Sequence, residues 1–188
     1  MTENLRCAWC GIDPLYVAYH DTEWGKPLYD ARALWECLML ECFQAGLSWI
    51  TILRRRDTFR TAFARFRPEI IADWSEPEIL RLLDDPGIIR HRGKIEATIT
   101  SAQAFLTIER SVGFAKFLWD HVDGSPVLGD PAITATKAEI AKTLAKSLKT
   151  EGFKFCGPTI SYAFMQATGM VNDHLMTCPY RHPTEEIR

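Results

Sequence analysis

Apolar positions recur at helical spacing along most of the chain, and no run shows the strict alternation of a half-buried strand. Residues 32–43 place Leu34, Trp35, Leu38, Met39 and Cys42 on one stripe. A second helical pattern begins near Ser48, a candidate N-cap, and runs through Ile50, Leu53 and Phe59 to Phe66. Pro68 and Glu69 open a short third with Ile70, Ile71 and Trp74. Ser75, followed three residues later by Glu78, has the form of a capping box, and its helix runs through Ile79, Leu82 and Leu83 to a stop at Pro86-Gly87. A long helix then carries Ala97, Ile99, Ala102, Phe105, Leu106 and Ile108, and a short aromatic one covers 114–122. Asp123 to Pro131, with Gly124, Pro126 and Gly129, reads as a loop joining two lobes. Residues 137–150 set Ile140, Leu144 and Leu148 against Lys142, Lys146 and Lys149. Gly152 and Gly157 bound a hairpin, after which Pro158-Thr159 starts a helix through Ile160, Ala163, Phe164 and Ala167. The expected architecture is all-α, with no internal repeat and no strand.

Two segments stand out from this background. The first 27 residues are dense in Cys7, Trp9, Cys10, Tyr16, Tyr19, His20 and Trp24. Asp13-Pro14 suits an N-cap followed by N1, and the helix it starts puts Tyr16, Tyr19 and His20 on one face. The plainest reading of that cluster is a packed mini-core. The second segment is the corner between the first two long patterns, where Gly46 and Leu47 separate Glu41 from Trp49. An acid on the apolar side of one helix and an indole at the start of the next can face one cavity. A charged Glu in apolar surroundings is costly unless paired or functional. The plainer alternative has Glu41 solvated and Trp49 in the core.

Composition narrows the class. With 188 residues, 47% hydrophobic and 24% charged, the chain has material for a sizeable core. It has no run of about 20 apolar residues, so no membrane span is expected. Glu3 and Arg6 near the start, without an apolar stretch, argue against a secretory signal and for a cytoplasmic protein. Six cysteines are then expected as core thiols, metal ligands or nucleophiles rather than disulfides. A net charge of -2 neither suggests nor excludes nucleic acid. Locally, Arg54, Arg55, Arg56, Arg60, Arg65 and Arg67 face only Asp57, which makes a solvated face or a phosphate-facing one.

Three constellations carry candidate chemistry. Cys7 and His20 near one end, with His174 and Cys178 near the other, supply two Cys and two His, a closed tetrahedral zinc set. Cys7 and Cys10 form a competing pair, as metal ligands or as a redox couple. The segment 141–169 is a helix–hairpin–helix. Amides of such a hairpin and of the next helix's N-terminus bind a phosphate, here with Gly152, Lys154, Gly157 and Thr159. A plain helical hairpin with a glycine cap is the alternative. Arg90, Arg92 and Lys94 form a further basic candidate for DNA contact. Third, Trp9, Tyr16, Tyr19, Trp24 and Trp49 around Glu41 suit a planar, electron-poor base flipped out of a duplex, with Leu47 as the wedge that fills the gap. A zinc-stabilised DNA-binding module without catalysis would leave the aromatic set and Glu41 unexplained.

These residues resemble a known family, 3-methyladenine DNA glycosylase I. The resemblance rests on residues 13–25 around Tyr16, Tyr19, His20 and Trp24, on Gln44 to Trp49, on Gly87 to Ile95, on Gly152 to Thr159, and on Val171 to His174. It covers nearly the whole chain and implies an all-α fold of the helix–hairpin–helix glycosylase superfamily. The same resemblance implies one domain over 1–188 with two helical lobes, the hairpin lobe including 137–178. It implies a structural zinc on Cys7, His20, His174 and Cys178, with Cys10 outside the site. The base pocket falls on Glu41, Tyr16 and Trp49, with Trp9, Tyr19 and Trp24 around it, and the DNA wedge on Gly46 and Leu47. Expected partners are double-stranded DNA containing 3-methyladenine and free 3-methyladenine as product, bound by a monomer. Hydrolysis of the N-glycosidic bond would leave an abasic site without a lyase step. Asp173 is the nearest match to the acid that wider relatives place after the hairpin, and it is not expected to act as the usual base. Cys156 departs from the family pattern, standing where valine is expected.

Overall fold

The structure, a computed structural model, describes residues 6–129 and 134–181. Among them are ten α-helices: α1 (Pro14–Thr22), α2 (Ala31–Gln44), α3 (Trp49–Leu53), α4 (Arg56–Ala62), α5 (Pro68–Ile71), α6 (Glu76–Asp84), α7 (Arg92–Ser111), α8 (Phe114–Trp119), α9 (Thr134–Thr150) and α10 (Pro158–Ala167). Several starts follow from local chemistry. Asp13 accepts hydrogen bonds from the amides of Leu15 (3.0 Å) and Tyr16 (3.2 Å), with Pro14 at N1. Asp30 accepts from the Ala33 amide at 2.8 Å, and Glu78 from the Ser75 amide at 2.8 Å.

Helix α2 is the axis of the molecule. Every residue from Leu38 to Phe43 is buried, Glu41 included. A helix buried on all sides needs neighbours on all sides, and α2 packs against α3, α7, α8 and α10. Phe43, Phe59, Phe63 and Phe66 build the core beside it, with ring centroids 4.8 Å apart for Phe43–Phe59 and 5.7 Å for Phe63–Phe66.

The structure corrects two expectations. The pattern from 48 to 66 is not one helix: it breaks at Arg54 and Arg55 into α3 and α4 and ends in a turn, Ala64–Phe66, whose residues all have positive φ. Left-handed residues cost about 1–2 kcal/mol each. Burying Phe63 and Phe66 completely, at about 1.5–3 kcal/mol per side chain, is of comparable size. The second correction concerns strands. Val127–Leu128 (β1) and Val171–Asn172 (β2) form a two-residue parallel pairing, Val127 opposite Val171 and Leu128 opposite Asn172. Two residues are too few to show alternation, so the period that reveals a strand had no room to appear. The pairing fastens the expected 123–131 loop to the segment after α10; Pro131 lies outside the described residues.

Candidate functional site: an aromatic cavity beside a buried cysteine and histidine cluster

Helix α1 presents two faces to two sites. His20 points to one, where Cys7 Sγ, His20 Nε2, His174 Nδ1 and Cys178 Sγ all lie within 4.8 Å of one another and all four residues are buried. Cys7 Sγ is 3.6 Å from His174 Nδ1, and Cys178 Sγ is 3.4 Å from His174 Nδ1 and 3.7 Å from His20 Nε2. Ligand bonds of 2.0–2.3 Å in a tetrahedron give edges of about 3.3–3.8 Å, so this group could hold a metal ion. Its surroundings orient the rings for that purpose. His20 Nδ1 meets Asp21 Oδ1 at 2.7 Å, and Asp21 is held in turn by Arg6 Nε at 2.8 Å. His174 Nε2 meets the Trp24 carbonyl at 3.0 Å, leaving Nδ1 for the cluster. Cys10 stands outside: its thiol donates to the Cys7 carbonyl at 3.1 Å.

Tyr16 and Tyr19 face the other site, a cavity of about 270 Å³ lined also by Trp9, Trp24, Glu41 and Trp49. All six residues of the proposed base pocket are therefore brought together. Trp9 packs on Tyr16 (centroids 5.0 Å) and Trp24 (4.8 Å), Tyr19 on Trp49 (5.5 Å), and Trp24 on His174 (4.6 Å). Trp24 thus forms a shared wall between cavity and cluster. Glu41 is 3% exposed, and its Oε2 and the Trp49 Nε1 have no hydrogen-bond partner among the described residues. Burial pushes the Glu41 carboxyl up to about 8. An acid and an indole N–H held buried and unpartnered on a cavity wall are groups prepared for a polar ligand.

Sequence reasoning missed Gln44, Gln166 and Lys137. Both glutamines line the cavity; Gln44 falls in a motif that carries the family resemblance but received no role of its own, and the ordinary helical position of Gln166 gave no signal. Asp173 also lines it, but its oxygens are occupied by Lys137 Nζ at 2.6 Å, Gln166 Nε2 at 2.9 Å and the Tyr162 hydroxyl. Burial alone would raise its pKa; those three donors outweigh burial and hold it below the ordinary carboxylate range. Lys137, 5% exposed, reads in sequence as one more lysine of an amphipathic helix.

The corner after α2 has Gly46 at φ +85° and Leu47 42% exposed. Lys94 is not at the surface. It is buried, and its ammonium donates to the carbonyls of Phe43 (2.9 Å) and Ala45 (2.8 Å). The expectation of a phosphate contact from this side chain is replaced by a cation capping the C-terminal end of α2 and bracing the corner. Arg92 is engaged by Glu76 (2.9 Å) and Glu96 (3.1 Å), whereas Arg90 is exposed. The arginine-rich face is partly neutralised: Arg54 pairs with Asp13 (2.6 Å), Arg56 with Glu23 (2.9 Å) and Arg60 with Glu36 (2.7 Å). Asp13 and Glu23 flank α1 and Glu36 lies on α2, all distant in sequence from the arginines.

Between α9 and α10 the hairpin has Gly152 at φ +94°, but Gly157 has φ -64°, which any residue adopts. The second left-handed position is Phe155 (φ +61°), a 39% exposed ring packed edge-on against His91 with centroids 5.9 Å apart. The two basic segments, 90–94 and 152–159, therefore adjoin. Lys154 and Thr159 are exposed, and Lys142, Lys146, Lys149 and Lys154 line a groove along the hairpin.

Fold and site define a mainly helical protein whose central helix carries a buried acid into an aromatic cavity shaped for a small flat molecule. Residues 9–182 match the family model described as methyladenine glycosylase, and the chain belongs to that family. It is 46% identical over 177 residues to DNA-3-methyladenine glycosylase 1 of Escherichia coli (strain K12), covering 92% of this chain and 95% of that protein. The DNA-3-methyladenine glycosylase of Haemophilus influenzae (strain Rd) is 45% identical over 180 residues, covering 94% and 97%. Among solved structures, a crystal structure of 3-methyladenine DNA glycosylase I superposes with a TM-score of 0.89 at 49% identity, covering 95% of this chain and 100% of the other. The Staphylococcus aureus enzyme, in a structure describing the basis of 3-methyladenine recognition, gives 0.88 at 41% identity, covering 94% and 96%.

Proposed function

We propose that this protein is a DNA glycosylase of base excision repair that hydrolyses the N-glycosidic bond of 3-methyladenine in alkylated duplex DNA, leaving an abasic site. The observation that carries this reading is the buried, unpartnered Glu41 carboxyl facing the aromatic cavity. Methylation at N3 makes the base in DNA cationic and a good leaving group. Contact with that cation favours ionised Glu41, so binding releases the proton that burial retains in the empty cavity. The damaged base leaves the stack, Leu47 fills the gap, and Trp49 and Tyr16 stack on the base while Glu41 reads its edge. Water adds to the sugar carbon as the bond to nitrogen breaks; the bonding electrons leave with the base, which departs neutral, and the water's surplus proton passes to solvent. Normal adenine lacks the charge that Glu41 and the rings recognise.

Cys7, His20, His174 and Cys178 would hold a zinc ion whose four protein ligands leave no open position, so it ties the chain ends together and supplies no chemistry to the reaction. The helix–hairpin–helix of α9 and α10 grips the phosphate backbone through Gly152, Lys154, Gly157 and Thr159, with Arg90 beside it. The chain acts as one domain of two helical lobes and as a monomer. Among the described residues no lysine lines the cavity, so no Schiff base forms and no strand cleavage follows; borohydride should trap no DNA adduct.

The deciding measurement is base release from methylated duplex DNA, with products separated chromatographically. Selective release of 3-methyladenine, with 7-methylguanine left in place, is the expected result. No release by folded, zinc-loaded protein would overturn the enzyme reading in favour of a binding module.

A further inference from the structure

Cysteines 42 and 156 lie 114 positions apart in sequence, yet their sulfurs are 3.2 Å apart in the fold. Both side chains are buried, at 6% exposure each. Cys42 follows Glu41 on α2, and Cys156 belongs to the hairpin, so the pair sits where the central helix meets the loop between α9 and α10. Neither thiol belongs to the cysteine and histidine cluster. Both sulfurs also face the Lys154 carbonyl, Cys156 at 3.2 Å and Cys42 at 3.7 Å, so both are directed into one small polar spot inside an otherwise apolar contact. Two unbranched apolar residues would pack this contact without any reactive group.

We propose that Cys42 and Cys156 are a redox-active dithiol, whose oxidation joins α2 to the hairpin by a reversible disulfide. The sulfurs already touch; a disulfide of about 2.05 Å needs them to close by roughly 1.2 Å, a movement within reach of side-chain adjustment. Access is asymmetric. Cys156 lines the lysine-bearing groove along the hairpin, and Cys42 lies behind it. A hydroperoxide entering that groove oxidises Cys156 to the sulfenic acid as its O–O bond breaks and an alcohol, or water from hydrogen peroxide, departs. The Cys42 sulfur then attacks the Cys156 sulfur and expels water. Two thiols lose two electrons and two protons, and the peroxide bond takes them up. Cys37 lines a separate cavity, and the Cys10 thiol donates to a backbone carbonyl.

The test uses the full chain loaded with zinc, exposed to graded hydrogen peroxide, quenched with iodoacetamide and mapped by peptide mass spectrometry. The expected product is a Cys42–Cys156 cross-linked peptide that dithiothreitol reverses. Closing so long a loop should raise Tm by roughly 5–10 °C in the oxidised protein. Cys156→Val, which keeps the site apolar and removes the thiol, should lose both the cross-link and the shift. Two outcomes would overturn the proposal: Cys42 and Cys156 both recovered as alkylated or singly oxidised thiols, or a cross-link confined to Cys7 and Cys178. The mapping of the unsubstituted protein decides between them even where the variant folds poorly.

Discussion

Glu41 is the residue on which stability and function pull in opposite directions. Its folded-state value of about 8 lies above the unfolded carboxyl value of 4.5. Between those two pH values the unfolded chain ionises while the folded one keeps its proton, so stability falls as pH rises through this window and the loss is complete above about 8. A shift of this size corresponds to a few kcal/mol at high pH. Glu41→Gln should therefore melt above the parent protein at pH 8, and the gap should shrink toward pH 4.5. The same substitution should cut release of 3-methyladenine by roughly 10- to 100-fold, the size expected for losing hydrogen bonds to a charged partner. Near-full excision by the amide variant would remove Glu41 from the mechanism. An unchanged melting temperature at pH 8 would show that the carboxyl is better solvated than its 3% exposure indicates.

At the scale of elements, the cavity depends on contacts between segments that no local pattern announces. Asp173, just after β2, is tied to Lys137 on α9 and to Tyr162 and Gln166 on α10. This one carboxylate fixes the segment after β2 against both helices of the hairpin. Removing a single partner from a buried pair leaves an uncompensated charge, at a cost of about 3–5 kcal/mol. Lys137→Met and Asp173→Asn should each lower stability by that order in urea titrations, and the double variant should lose less than the sum of the two single losses. Strict additivity would mean that the pair is not coupled. The same scale explains what was legible. Asp13, Pro14, Ser75 and Glu78 marked helix starts because capping is local chemistry. The break at Arg54 and Arg55, the left-handed turn at Ala64–Phe66 and the β1–β2 pairing were hidden, because distant packing and not local preference decides them.

Across the whole molecule, the cysteine and histidine cluster joins Cys7 to Cys178, segments at opposite ends of the described chain, and shares the wall of Trp24 with the cavity. A metal there would close a loop of nearly the entire protein, so it should act on stability and on the cavity together. Metal analysis should find one zinc per chain. Stripping it with a strong chelator at neutral pH should lower Tm and quench binding of 3-methyladenine in parallel, with re-addition of zinc restoring both. Retention of full stability without metal would reduce the cluster to a set of buried thiols and imidazoles. No helix among the described residues is long and apolar enough to cross a membrane, in keeping with the composition.

By itself the sequence determined the helical periods, the caps and the residue types of the cavity, because each of these is carried by spacing or by side-chain chemistry; the choice of Cys7, His20, His174 and Cys178 over Cys10 rested on the family resemblance. Only the tertiary structure decided which charges are used up. Lys94 caps a helix end instead of facing solvent, Arg54, Arg56 and Arg60 are paired with acids from distant segments, and Lys137 is paired with Asp173. It also decided that Cys42 and Cys156 touch. A charge or a thiol looks the same in every sequence context; its partner, and with it its cost and its role, is chosen by packing between segments far apart along the chain.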